Sequence, residues 1–278
     1  MWSDPRVKPP PGVAAWNPES WAAPGCVAYL ACNEGGGSRV FDYSPYGHHG
    51  TMSSGMDPQT AWGAGESGAA LEFAGGDDYV AVQPIAPLQG VSAATFCVWM
   101  NPTNAAETQW VIARGDYHFA SFMGLWGDDV AGEITNTYVF NVGISTVAAN
   151  RVTAPTDSRK TGEWQMVAAV FDAGNKKIYV DGSLVGEASG GQTTIVSSAT
   201  AWDIGAWTFS GAYSAMQIEQ HACYDRALAT KEIERLHEEP YAPIVQPPRV
   251  WYFDVGAVAF RPRPFTQHRH GPRLVTGG

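Results

Sequence analysis

No stretch of this chain approaches the roughly eighteen consecutive apolar residues of a membrane-spanning helix, so no membrane partner is expected. The opening, Met1-Trp-Ser-Asp-Pro-Arg-Val-Lys-Pro-Pro-Pro11, has no apolar core of the length that a secretory leader needs. The expectation is synthesis in a cytosol. Cysteine is scarce: Cys26, Cys32, Cys97 and Cys223 are the 4 in 278 residues, and they fit no zinc spacing. In a reducing compartment they read as free, buried thiols. Cys26 and Cys32 stand six apart on one expected strand, so they share a face about 20 Å apart and cannot bond each other. Charged residues make up 16% of the chain, and the formal net charge is −10. No nucleic-acid partner is expected. The chain also lacks a Gly-x-Ser-x-Gly nucleophile elbow, a Gly-x-x-x-x-Gly-Lys-Ser/Thr phosphate loop, internal repeats and heptads.

What is abundant suits short strands joined by tight turns: 31 Gly, 19 Pro and 12% aromatic residues. The clearest stretch is Trp164–Glu239. An apolar strand, Trp164–Phe171, is followed by the turn Asp172-Ala-Gly-Asn175, a short strand Lys177–Val180, the pair Asp181-Gly182, and Leu184–Glu187. Asp-Gly between apolar-rich runs signals a type I′ hairpin, because both central residues need φ > 0. This is an antiparallel meander. Further strands are expected at Cys26–Cys32, Tyr79–Val82, Ala94–Trp99, Trp110–Ala113, Trp202–Gly205 and Ala215–Tyr224. Phe119–Trp126 and Tyr138–Ile144 read as two long strands separated by an acidic loop, Gly127-Asp-Asp129. Ala229, Ile233 and Leu236 share a face of one amphipathic helix, Thr230–Glu238, expected to cap an end of the sheets and to be N-capped by Thr230.

Both ends read differently from the middle. Residues 1–25 carry Pro at 5, 9, 10, 11, 18 and 24 together with Trp2, Trp16 and Trp21. Proline lacks the donor that a central strand needs, so an extended arm is expected. Residues 241–278 form a second arm, rich in Pro and Arg. From Arg249 onward there are five Arg against Asp254, a balance of +4, which leaves −14 on residues 1–248. A basic tail on an acidic body suggests an interaction arm, and Trp2, Trp16, Trp251, Tyr252, Phe253, Arg261 and Arg263 are the candidate anchors. His268 and His270 read as part of this solvated arm.

The pieces between, in order, are Glu34-Gly-Gly with Asp42-Tyr-Ser44 and Gly50, then Ala69–Val80, Thr95–Pro102, Trp164–Phe171, Ile178–Gly182, and Tyr224–Leu228 with Glu232-Ile233. Over residues 26–240 this order resembles the laminin-G-like, concanavalin A-like jelly-roll domains. The resemblance implies an all-β, two-sheet antiparallel jelly-roll sandwich with one short C-terminal helix and extended arms at both ends. Glucanases of this fold place carboxylates on one strand face, but a Glu-x-Asp-x-x-Glu strand, which would supply the pair about 5–5.5 Å apart that a retaining glycosidase needs, is missing. Asp77-Asp78, Asp128-Asp129 and Glu238-Glu239 read as turn or helix-end residues, and no enzyme activity is expected. The resemblance further implies a calcium site at Asp42 and Glu219, although Glu219-Gln220 stands where the family has Asp-Glu and so loses one charge. Trp126 and Trp207, near loops, are the candidate glycan platforms, while Trp99, Trp164 and Trp202 read as core.

The fold hosts binders, hydrolases and structural proteins alike. The arginine-rich ending resembles phage-encoded members of the family. It implies a non-enzymatic structural protein of a tailed-phage virion, a capsid decoration, head fibre or tail component. Such a protein would be held to other virion proteins by its arms, would form a homo-oligomer, and would display a lectin-like sandwich to host surface glycans. The alternative is a carbohydrate-binding module or tail-fibre adhesin.

Overall fold

The computed structural model describes residues 4–10, 12–104, 108–130 and 134–245, the side chains of 128–130, 134 and 135 excepted. In chain order the strands are β1 (Ala15–Trp16), β2 (Cys26–Leu30), β3 (Arg39–Val40), β4 (Gly50–Met52), β5 (Trp62–Ala64), β6 (Ala69–Ala74), β7 (Val80–Val82), β8 (Ala93–Pro102), β9 (Gln109–Arg114) and β10 (Met123–Val130). They continue with β11 (Ile134–Val142), β12 (Arg151–Thr153), β13 (Gln165–Asp172), β14 (Asn175–Val180), β15 (Ser183–Ala188), β16 (Trp202–Ile204), β17 (Ala206–Trp207), β18 (Ala212–Tyr213) and β19 (Ala215–Tyr224). Helix α1 (Thr230–Glu238) and β20 (Ile244–Val245) complete the described part.

Two eight-stranded sheets face each other. The first runs β12-β11-β10-β9-β16-β7-β4-β3; the second runs β15-β14-β13-β8-β19-β6-β5, with β2 pairing beside β19. Every ladder is antiparallel, as in Val167↔Val180 and Val98↔Val167. The expected type I′ hairpin is present, with φ of 48° at Asp181 and 78° at Gly182. Phe96, Val98 and Met100 of β8 meet Ile112, Leu125 and Phe140 of the opposite sheet in one buried core.

The second sheet is covered on its outer side as well, which is why β8 and β13 read as unbroken apolar runs. Met166, Ala168, Tyr179 and Tyr224 pack there under Ile233 and Leu236 of α1. The helix therefore lies over a sheet face and does not cap an end. Its N-cap is Ala229, one residue before the expected Thr230. Glu232 accepts the Ala229 N–H (2.9 Å), which forms half of a capping box, while the Thr230 hydroxyl is paired with Tyr179 Oη (3.0 Å).

The N-terminal segment is folded in rather than extended. β1 pairs with β20, Trp16 opposite Ile244. Tyr241 N–H donates to the Pro5 carbonyl (2.9 Å), and Asn17 N–H to that of Pro243 (2.9 Å). Trp21 Nε1 donates to Glu239 (2.8 Å) under the Arg235 guanidinium, 4.4 Å from its ring. Residues 4–10, 12–25 and 241–245 lie in the same compact unit as the sandwich. Trp16 is half-buried against its own chain. Trp2, Trp251, Tyr252, Phe253, Arg261, Arg263, His268 and His270 lie outside the described residues.

Two further expectations are corrected. Phe119–Phe122 is a turn, and the strand begins at Met123 and continues through Gly127–Asp129, with Asp128 opposite Thr137. Cys26 and Cys32 do not share a face. A bulge at the start of β2 and the left-handed Cys32 (φ 45°) put Cys26 under the helix and Cys32 between the sheets. All four cysteines are free and buried. No helix of the described residues is long and apolar enough to cross a membrane.

Candidate functional site

The expected calcium residues are placed apart in function. Asp42 carries an Asx turn: Oδ1 accepts the N–H groups of Tyr29 and Ser44 (2.8 Å each), and Oδ2 accepts the Ser44 hydroxyl and the His48 N–H (2.7 Å each). Glu219, fully buried, accepts the N–H groups of Glu66 (3.1 Å) and Ser67 (2.9 Å). Its counter-charge is the Lys8 ammonium, 3.7 Å from Oε1. Lys8 Nζ also donates to the carbonyls of Glu219 (2.8 Å), Cys32 (3.3 Å) and Ala69. Burial lowers the Lys8 pKa, against the opposing pull of the surrounding anionic groups. An ammonium from the N-terminal segment thus stands beside Glu219, and among the described residues no group of three or more His, Cys, Asp or Glu is placed to hold a metal.

The glycan candidates Trp126 and Trp207 are brought together, by a device that the sequence hides. Leu125 pairs with Ile112, but Trp126 pairs with Trp110, so Val111 is an extra residue in β9. Strict alternation from Ile112 would point Trp110 into the core; the bulge turns it outward beside Trp126. The extra Val111 has its carbonyl met by the Gly205 N–H (3.2 Å), and both backbone groups of the neighbouring Trp110 are met by one hydroxyl. Trp110 N–H donates to Ser214 Oγ (2.6 Å), and that hydroxyl donates to Trp110 O (3.3 Å). Trp110 then lies 4.8 Å from both Trp126 and Trp207, ring centre to ring centre. Gly124 fits closely beneath them: a Cβ there would come within 3.0 Å of Phe122 and 3.1 Å of Trp110, so the rings would have to shift by a few tenths of an ångström.

Trp126 and Trp207 are consequently 8% and 9% exposed and pack against each other's neighbours. They are not separate open platforms, which corrects the expectation. Trp207 Nε1 donates to the Gly115 carbonyl (2.8 Å), tying the β17–β18 hairpin to the loop after β9. Tyr117 of that loop stands edge-on to Trp207 at 5.3 Å. On the same two loops Phe119 is 61% and Phe209 63% exposed. Nearby, Tyr213 lies 6.2 Å from Tyr79. Asp203, opposite Ala113 of the cluster, accepts the Thr208 N–H (3.1 Å) and hydroxyl (2.5 Å) through Oδ2. Burial raises its pKa, in part offset by those two hydrogen bonds. His118 and Asp116 are bonded to each other (2.9 Å) at the rim.

The assembly is a stiff aromatic base with exposed rings and hydrogen-bonding groups around it. Phe119 and Phe209 were missed by sequence reasoning, although each is a large apolar residue inside a turn-rich segment, where no core position is available. Trp202 is core as expected, while Trp99 and Trp164 are half-buried.

A family model described as the concanavalin A-like lectin/glucanases superfamily matches residues 74–234, more than half of the chain. The chain belongs to this superfamily. No curated protein matches it in sequence. Among solved structures it is similar to domain 4 of AbnA, a GH43 extracellular arabinanase from Geobacillus stearothermophilus in complex with arabinotriose. That match has 15% identity and a TM-score of 0.60, covering 76% of this chain and 98% of the other. It is also similar to the binding domain of botulinum neurotoxin DC in complex with SialylT (13% identity, TM-score 0.54, covering 77% of this chain and 51% of that one). A third is Trypanosoma rangeli sialidase (16%, 0.53, 78% and 33%). The chain thus spans about half of the neurotoxin binding domain and a third of the sialidase, and at these identities the likeness shows the lectin-like sandwich alone.

Proposed function

We propose that this chain is a non-enzymatic glycan-binding domain that takes its ligand on the outer face of the first sheet. The observation that carries the reading is the pair of exposed rings, Phe119 and Phe209, held on two loops by the Trp110–Trp126–Trp207 base. Flat apolar rings cover the C–H faces of sugars, and here the loops that carry them rest on the packed Trp base. Similarity to domains solved with arabinotriose or SialylT supports a carbohydrate ligand. A binding role is favoured over hydrolysis because the sequence lacks the paired carboxylates, and because Asp203 commits Oδ2 to Thr208. Glycan-array binding of the full chain, repeated with Phe119→Ala and Phe209→Ala, is the test. Loss of signal at an unchanged melting temperature is expected. Undiminished binding in both variants sinks this placement, and glycosidase turnover would overturn the non-enzymatic reading.

The charge split, +4 on residues 249–278 against −14 before them, favours a second reading that is compatible with the first. The domain would be carried on a larger assembly by its basic end, as a structural component of a tailed-phage virion. Removing residues 249–278 is expected to leave a folded sandwich that no longer joins the particle. Incorporation at native copy number would rule the tail out as the attachment.

A further inference from the structure

The other sheet carries a concave feature. A cleft of about 600 Å³ lies on the outer side of β13–β15, bounded by the β19–α1 connection and the first turn of the helix. Its size falls within the range of small-molecule sites, roughly 300–1,000 Å³. Strand alternation explains its lining. Val170, Lys177 and Glu187 stand opposite one another across three strands and share the outer face. Tyr179, on the same face of β14, forms part of the floor with Leu228. Asp172 and Asn175 close one end, at the hairpin where Ala173 and Gly174 take φ of 47° and 94°.

The electrostatics of the lining select a ligand class. Two charged groups at the cleft are already satisfied. Glu232 holds Arg226 in a two-bond pair (2.7 and 2.8 Å), and the Lys176 ammonium donates to the Gly174 (2.6 Å) and Gly190 (2.8 Å) carbonyls. That leaves Asp172 and Glu187 as acceptors, Lys177 as donor and, around a small apolar floor, the oxygen and second N–H of the Asn175 amide, whose Nδ2 already donates to the Asp172 carbonyl (3.0 Å). An anion would meet two carboxylates and one ammonium. A simple cation would meet the ammonium, and the described residues form no metal-holding cluster there. A neutral polyhydroxy molecule, whose hydroxyls donate and accept in turn over an apolar ring face, matches both the polar groups and the floor.

We propose that this cleft is a second binding site, taking a neutral di- or trisaccharide independently of the aromatic face on the first sheet. The chain would then engage carbohydrate from both sides of its sandwich, and two weak sites on one rigid body raise avidity for a repeating glycan. The test is a titration of the full-length, isotope-labelled chain with maltotriose, cellotriose and chitotriose in turn, followed by amide chemical shifts. Saturable shifts at Lys177, Tyr179, Glu187 and Thr230 are expected with at least one of them. Glu187→Ala and Lys177→Ala, both at solvent-facing positions, should each weaken that binding about two- to twelvefold, the range of one hydrogen bond. A Phe119→Ala/Phe209→Ala double variant should leave the cleft shifts unchanged. Absence of saturable cleft shifts with all three sugars overturns the proposal, as does an unaltered Kd in both cleft variants. Cleft shifts without any response around Phe119 and Phe209 uphold it while overturning the aromatic placement, so the two readings fail separately.

Discussion

Replacing Lys8 by methionine keeps most of the aliphatic stem and removes the ammonium, a change whose cost can be worked from its surroundings. Both side chains of the Lys8–Glu219 pair are essentially sealed from solvent, at 1% and 0% exposure. The variant leaves the Glu219 carboxylate with two backbone N–H donors and no counter-charge, and takes a donor from the carbonyls of Cys32, Ala69 and Glu219. Removing one member of a buried ion pair costs about 3–5 kcal/mol. At about 2–4 °C per kcal/mol in a domain of this size, melting should fall by about 6–20 °C. Glu219→Gln in the same background should restore much of the loss, because the amide oxygen still accepts from Glu66 and Ser67 while the stranded charge is gone. Urea unfolding followed by tryptophan fluorescence, with calorimetry alongside, reads both variants. A Lys8→Met midpoint within about 1 °C of the parent refutes the argument. So does a double variant no more stable than the single one, since that would show the charge was never stranded.

Calcium and chelator should give the same melting midpoint, because the cation beside Glu219 is Lys8; a calcium-dependent rise would restore the metal site. His221, buried between the sheets, has its pKa lowered to about 4 by burial. The unfolded chain, titrating near 6.5, binds the proton more readily, so stability is fully present above about pH 6.5 and is lost as pH falls toward 4. The total is about 3 kcal/mol at 1.36 kcal/mol per pKa unit. Denaturant midpoints across that window should slope more steeply in the parent than in His221→Leu, and parallel slopes would exclude His221 as the titrating group. Burial pushes the Cys97 thiol up to about 12 and raises the other three thiols as well. A thiol reagent should therefore count none in the folded chain and four in denaturant, and a count of two without reductant would reveal a disulfide.

Local chemistry made much of this fold legible in the residues. Asp181-Gly182 has to turn with positive φ, so the meander and its register follow from two residues. The apolar runs of β8 and β13 mark strands covered on both faces, and Ile233 and Leu236 mark the buried side of α1. Other features depend on partners far away in sequence. Trp110 faces outward only because one extra residue in β9 breaks the period of two, and the bulge is held by Ser214, 104 residues later. The proline-rich start looks unable to join a sheet, which is true of most of it, yet Lys8 finds its counter-charge 211 residues away, where no pattern in either segment announces the other. Trp126 and Trp207 stand near loops in the sequence, which is why they read as exposed platforms. Their burial, and the exposure of Phe119 and Phe209 in their place, follow from how two loops lean on one sheet. Sequence alone determined most of the strands, the Asp181-Gly182 turn and the helix, because those choices rest on neighbouring residues. Tertiary structure decided which faces are covered and which groups pair, because burial and pairing are set by whatever the fold brings across from elsewhere in the chain.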